Sequence, residues 1–207
     1  MAGQRRWCPE NHWVATVHHG LPLDLYDLHP EPQEYFAFVG RISPEKRADR
    51  AIEIAQACGR PLRIAAKVDP GDRAYFESTI EPLLDDGLVT YVGEIGEDAK
   101  NDFIGNAVAL LMPIDWPEPF GLVMIEAMAC GTPVIAYGHG SVPEVIDSGV
   151  TGFIVDNQEQ AIAAAKDIGR IDRRRCRQAF EQRFAARVMA RRYIDVYREL
   201  VDMRVAA

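Results

Sequence analysis

The 207-residue sequence is poor in cysteine, in long apolar runs and in positive charge. Its four cysteines, Cys8, Cys58, Cys130 and Cys176, stand far apart with no C-x-x-C pair. That spacing excludes a zinc-finger arrangement and a disulfide framework, and it points to free thiols in a reducing compartment. The longest apolar stretch, Ala107 to Ile114, falls far short of the ~20 residues that cross a bilayer. The opening residues, MAGQRRWCPENHW, lack the apolar centre of a signal peptide, so a cytoplasmic protein is expected. With 23 basic and 31 acidic residues the net charge is −8, which argues against a general nucleic-acid binder. The five histidines, at 12, 18, 19, 29 and 139, show no metal-ligand spacing on a helix, and no metal is expected. The strings G-x-x-x-x-G-K-[ST], H-E-x-x-H and G-x-S-x-G are also missing.

What is present is alternation. The first 33 residues are irregular, broken by four prolines, with one β-like run at 13–19. From there short apolar runs alternate with helical patterns. Strands are expected at 35–39, 62–66, 88–92, 108–112, 133–137 and 153–155. Helices are expected from about 44 to 58, then at 72–86, 97–106, 121–130 and 141–148, and beyond Asn157 to the end. Such a chain makes an α/β fold: a doubly wound, mainly parallel sheet of about six strands, with extra C-terminal helices. Three parts are expected: an N-terminal segment and linker (1–33), a Rossmann-like domain (34–169) and C-terminal helices (170–207). The arginine-rich run at 170–177 reads as a solvated face or an interdomain contact. The stripe Tyr193, Tyr197, Leu200 and Val201 reads as core or interdomain packing.

Ligands of doubly wound sheets sit beyond the carboxyl ends of the strands, so the loops there carry the candidate chemistry. After the first strand comes GRISPEK, Gly40 to Lys46. Arg41 and Lys46, at a helix start, suit a phosphate or diphosphate, or else are solvated surface cations. After the fourth strand comes PIDWPEPFGLVMIEAMACGTPVIA, Pro113 to Ala136. Here the amides of Phe120, Gly121, Leu122 and Val123 could meet an anion at a helix N-terminus. Glu126, about 7–8 Å along that helix, suits the hydroxyls of a ribose. Glu118 at the mouth could serve a sugar in the same way. The alternatives are a turn residue for Glu118 and a salt-bridged core-edge acid for Glu126. The loop Gly93-Glu94-Ile95-Gly96 leaves room for a flat base. The loop GHGSVPEV, Gly138 to Val145, carries G-x-G-x-x-P. Pro143 replaces the third glycine of a dinucleotide fingerprint, so a turn facing sugar or phosphate is favoured over a dinucleotide cofactor.

Taken together, GRISPEK, EPFGLVMIE, EAMACGTPVIA and GSVPEVIDSGVTGFIV resemble the C-terminal, donor-binding domain of a group 1 (family 4) retaining glycosyltransferase of GT-B fold. The resemblance runs from about Val17 to Val155, and the E-x7-E string from Glu118 to Glu126 is its most specific motif. It implies a domain that binds a nucleotide-sugar, with a UDP-sugar such as UDP-glucose as the expected donor of a hexose. It implies that Arg41 and Lys46 hold the diphosphate and stabilise the leaving nucleotide. Glu118 would contact the donor sugar, and Glu126 the ribose. The backbone of Phe120, Gly121 and Leu122 would meet sugar or phosphate. Gly40, Gly93, Ile95 and Pro119 complete the expected binding set, and no cofactor beyond the donor is implied. Three positions depart from the family pattern. Arg47 stands where a glycine usually follows the motif lysine, Ala65-Ala66-Lys67 where a glycine is common, and His139-Gly140 where a glycine pair is usual.

The family also carries an N-terminal Rossmann-like domain that binds the acceptor, and nothing before Val17 can serve as one. The expectation is therefore a C-terminal half, able to bind donor but inactive in transfer alone. The alternative is a stand-alone module that binds a nucleotide or nucleotide-sugar. A nucleotide-sugar epimerase of related architecture is disfavoured, because it too needs two domains and uses other motifs.

Overall fold

The computed structural model describes residues 8–84 and 87–205. Six parallel strands form one sheet: β1 (Phe36–Arg41), β2 (Leu62–Lys67), β3 (Val89–Gly93), β4 (Ala109–Met112), β5 (Val134–Tyr137) and β6 (Gly152–Val155). Their order is β3-β2-β1-β4-β5-β6. The chain winds outward from β1 to β3, then returns to lay β4 against β1, in register Phe36 with Ala109. The strand order reverses at that seam, so a crevice opens beyond the ends of β1 and β4.

The pleat sorts side chains to two cores. Phe36 and Phe38 of β1, with Ala109 and Leu111 of β4, join the core on one face. Tyr35 and Ala37, with Leu110 and Met112, join the core on the other. Residues of β4 and β5 are buried throughout, as expected where helices cover both faces. The first face is covered by α1 (Ala48–Cys58) and α6 (Gln158–Asp167). The second is covered by α4 (Leu122–Ala129) and α7 (Arg173–Arg183). The remaining helices are α2 (Arg73–Tyr75), α3 (Glu97–Gly105), α5 (Val142–Val145) and α8 (Ala186–Val205).

Several expectations are corrected. The first helix starts at Ala48, not near Pro44, because Arg47 adopts a left-handed conformation (φ 54°, ψ 51°) and leaves 44–47 as a turn. The expected helix at 72–86 is broken. Short turns at Pro70–Asp72 and Glu81–Leu83 flank α2 and a widened turn at Phe76–Ile80. Pro82 lacks the N–H that would bond back to Ser78, and its ring crowds that carbonyl. The last two residues of that expectation, Asp85 and Asp86, lie outside the described residues.

The run at 13–19 forms no strand. Its histidine rings pack on Phe120 and Phe184 instead of joining a ladder. The arginine-rich run is not simply a solvated face. Arg173 is 7% exposed and donates to the carbonyls of His29 (2.6 Å), Gly105 (2.5 Å) and Ala107 (2.9 Å) and to Thr132 Oγ1 (2.7 Å). Arg177 donates to the carbonyls of Leu23, Tyr26 and Ala129. These two guanidinium groups fasten residues 23–29 to the domain. The α8 stripe is not core: Tyr193, Tyr197 and Val201 are all exposed. Among the described residues no helix is long and apolar enough to cross a membrane.

Candidate functional site

The crevice is built from two loops that hold each other. The N–H of Asp115, after β4, donates to the carbonyl of Glu45, after β1, at 2.8 Å. The β1 loop turns tightly, since the amides of Lys46 and Arg47 both donate to the Ser43 carbonyl. Arg47 then takes the left-handed position normally given to glycine. Its side chain pairs with Asp49 at 2.7 Å and with Asp115 at 3.2 Å, which fixes the strained turn between the two loops. The turn is therefore kept despite the missing glycine. The same charged side chains, with Glu45 and Tyr75, line an open cleft of 540 Å³ beside the loop.

Lys46 and Glu118 meet at the mouth. The Lys46 ammonium pairs directly with Glu118 Oε2 and lies 5.0 Å from the centre of the Trp116 ring. The Trp116 indole N–H donates to the same carboxylate oxygen at 3.0 Å. Glu118 is 8% exposed, so its charge is held by these two partners rather than by bulk water. Its backbone is clamped as well. Its carbonyl accepts from the Ser141 N–H at 3.0 Å, and the Ser141 hydroxyl donates to the Phe120 carbonyl at 2.7 Å. Gly140 (φ 60°) makes this approach possible, because a Cβ there would stand 2.3 Å from the Glu118 carbonyl oxygen. The glycine retained in His139-Gly140 is thus the one the packing requires.

Arg41 is not brought to Glu118. It is exposed and pairs with Glu45, with Asp72 at 3.5 Å and with Asp69 at 3.8 Å. The two cations of GRISPEK share a loop but answer to different carboxylates. Lys67, in the departure Ala65-Ala66-Lys67, pairs with Asp69 at 2.9 Å on that same rim.

Gly121 precedes α4 in the left-handed region (φ 73°), where a Cβ would stand 2.9 Å from the methyls of Met112 and Met124. Phe120 is buried against His18, His19 and Phe184, so only its backbone can face a ligand. Pro119 and Leu122 are exposed beside it, and Gly40 is exposed at the end of β1.

Glu126 lies further along α4 in a second cluster. It is 8% exposed, and Lys100 of α3 reaches it at 3.2 Å while also pairing with Glu97 at 2.6 Å. The Tyr26 hydroxyl donates to Glu97 at 3.2 Å. Burial raises the Glu126 carboxyl above its ordinary value, outweighing the pull of Lys100. Burial lowers the ammonium of Lys100, but the hydrogen bond to Glu97 and the charge of Glu126 leave it raised on balance. Burial also pushes the Tyr26 phenol up. Gly93 ends β3, and Ile95 lies in the segment that leads from there into α3, the helix that carries Lys100. Trp116, Lys100 and Tyr26 were not singled out by motif reasoning. The signal for Trp116 was its place inside PIDWPEPF, and the signal for Lys100 was a lone cation on an acidic helix.

The family model described as glycosyl transferases group 1 matches residues 27–183. This chain belongs to the group 1 glycosyltransferases. Among curated relatives, a D-inositol 3-phosphate glycosyltransferase from Mycobacterium bovis is 34% identical over 171 residues. The match covers 70% of this chain and 33% of that protein, so the chain spans about a third of the relative's length. Among solved structures, AviGT4, a glycosyltransferase involved in avilamycin A biosynthesis, superposes with a TM-score of 0.83 at 25% identity. That match covers 98% of this chain and 62% of AviGT4. HepE from Anabaena, solved in complex with UDP and glucose, shares the fold (TM-score 0.73, 20% identity, 93% of this chain and 57% of HepE).

Proposed function

We propose that this chain is the donor-binding domain of a retaining glycosyltransferase that moves a hexose from a nucleotide-sugar to an acceptor. The observation that carries the reading is the Lys46–Glu118 pair at the seam where strand order reverses, with buried Glu126 in α4, the helix that follows Glu118. Lys46 and Arg41 bind the diphosphate. On binding, the phosphate replaces Glu118 as the partner of Lys46, and Glu118 turns to hydroxyls of the sugar. The backbone of Phe120, Gly121 and Leu122 meets the phosphate at the helix N-terminus. Glu126 accepts hydrogen bonds from the ribose. As the sugar leaves, negative charge grows on the diphosphate, and the two cations stabilise it without a large rearrangement. The acceptor attacks from the same face, and an acceptor-binding domain supplies the rest of the active site.

A UDP-sugar is the first donor to test. A thermal-shift series with UDP-, GDP- and ADP-sugars is expected to stabilise the chain with one nucleotide class. At a ligand concentration of ~100 times Kd the gain is about 2.7 kcal/mol, or roughly 5–10 °C for a chain of this size. No shift with any of them would remove the reading. Incubation of the chain alone with UDP-glucose and candidate acceptors is expected to give binding without turnover.

A further inference from the structure

Trp116 touches both charges at the mouth of the crevice through different parts of one side chain. Its indole N–H donates to Glu118 Oε2 at 3.0 Å, and its ring lies beneath the Lys46 ammonium at 5.0 Å. The same carboxylate oxygen also receives Lys46 directly. A pair formed by a buried carboxylate and a half-buried ammonium would otherwise be free to adopt whatever geometry maximises its own contact. A rigid indole beside the pair, in contact with both members, sets the geometry instead. Its N–H can keep one oxygen of Glu118 engaged after Lys46 has moved to a ligand phosphate, which directs the other oxygen outward. Its ring face can hold the ammonium at the mouth while it changes partner.

We propose that Trp116 is the positioning residue of this site, orienting Glu118 toward the sugar of the donor through its N–H and retaining Lys46 for the diphosphate through its ring. The proposal rests on the donor-site reading above and adds a division of labour within it. The N–H contributes to recognition of the sugar, whereas the ring contributes to recognition of the nucleotide diphosphate.

Two variants separate the contributions. Trp116→Phe keeps an aromatic face and removes the N–H, whereas Trp116→Leu removes both. By calorimetry, Trp116→Phe is expected to weaken UDP-glucose about 5-fold or more while leaving UDP within about 2-fold. Trp116→Leu is expected to weaken UDP also, by about 3-fold or more. Equal losses for the two ligands in Trp116→Phe, or no loss in either variant, would overturn the proposal. The geometry is checked without ligand by the indole N–H resonance that disappears in Trp116→Phe. It is expected to shift in Glu118→Gln, and an unmoved resonance would also overturn the proposal. If wild type binds no nucleotide-sugar, the donor-site reading fails and this inference fails with it. If wild type binds UDP-glucose and Glu126→Ala weakens that binding while the Trp116 variants behave as wild type, only the inference about Trp116 fails.

Discussion

A carboxylate held in a protein interior works against the fold that holds it, and Glu126 is such a group. Its carboxyl is raised above the ordinary 4.5 chiefly by burial, with Lys100 offsetting only part of the cost. Between the ordinary and the raised value the folded state binds more protons than the unfolded state. Stability therefore falls as pH rises through that window and recovers as pH falls through it. Wild type is accordingly expected to gain stability relative to Glu126→Gln as pH is lowered from neutral toward the ordinary carboxyl value of 4.5. Urea unfolding of both proteins at stepped pH checks this, and a relative loss for wild type on acidification would contradict it.

At the scale of the element, the β1 loop shows what sequence patterns can and cannot convey. Alternating apolar runs made the six strands legible, and the E-x7-E spacing located Glu118 before one helix and Glu126 within it. The departure at Arg47 could not be resolved from sequence. Whether a non-glycine residue keeps a left-handed turn depends on what its side chain meets, and Asp115 lies 68 positions away. Likewise the alternation at 13–19 resembled a strand, but strand formation needs a neighbouring ladder, and the segment meets aromatic rings instead. The turn makes a separable prediction. Arg47→Ala and Arg47→Gly both lose the ion pairs, and only alanine keeps the backbone penalty. Arg47→Ala is expected to be less stable than Arg47→Gly by about 1 kcal/mol in chemical denaturation. Equal stability would show that the left-handed turn carries no strain.

Across the whole molecule, one seam in the sheet positions everything proposed to touch the donor, and two arginines of α7, Arg173 buried and Arg177 half-buried, hold residues 23–29 on the domain. Arg173 satisfies four acceptors at once. Arg173→Met takes the donor away from the carbonyls of His29, Gly105 and Ala107 and is expected to cost about 3 kcal/mol or more. Hydrogen exchange should quicken first around residues 23–29 while the sheet stays protected; uniform quickening would mean that the segment is not separately fastened. The burial of Arg173 could not be read from composition, because charge runs usually face water and only the tertiary packing supplies the carbonyls that accept from it. The stripe on α8 is the converse case: its spacing is plain in the sequence, yet Tyr193, Tyr197 and Val201 stand exposed.

The central claim is that Glu118 serves the sugar and Glu126 the nucleotide of one donor. Calorimetric titration of UDP and UDP-glucose into wild type, Glu118→Ala and Glu126→Ala tests it most directly. Glu126→Ala is expected to weaken both ligands alike, by about 10-fold or more. Glu118→Ala is expected to weaken UDP-glucose while leaving UDP unchanged or tighter, because Lys46 is then released to the phosphate. Equal losses of UDP and UDP-glucose in Glu118→Ala, or undiminished UDP binding in Glu126→Ala, would contradict the account.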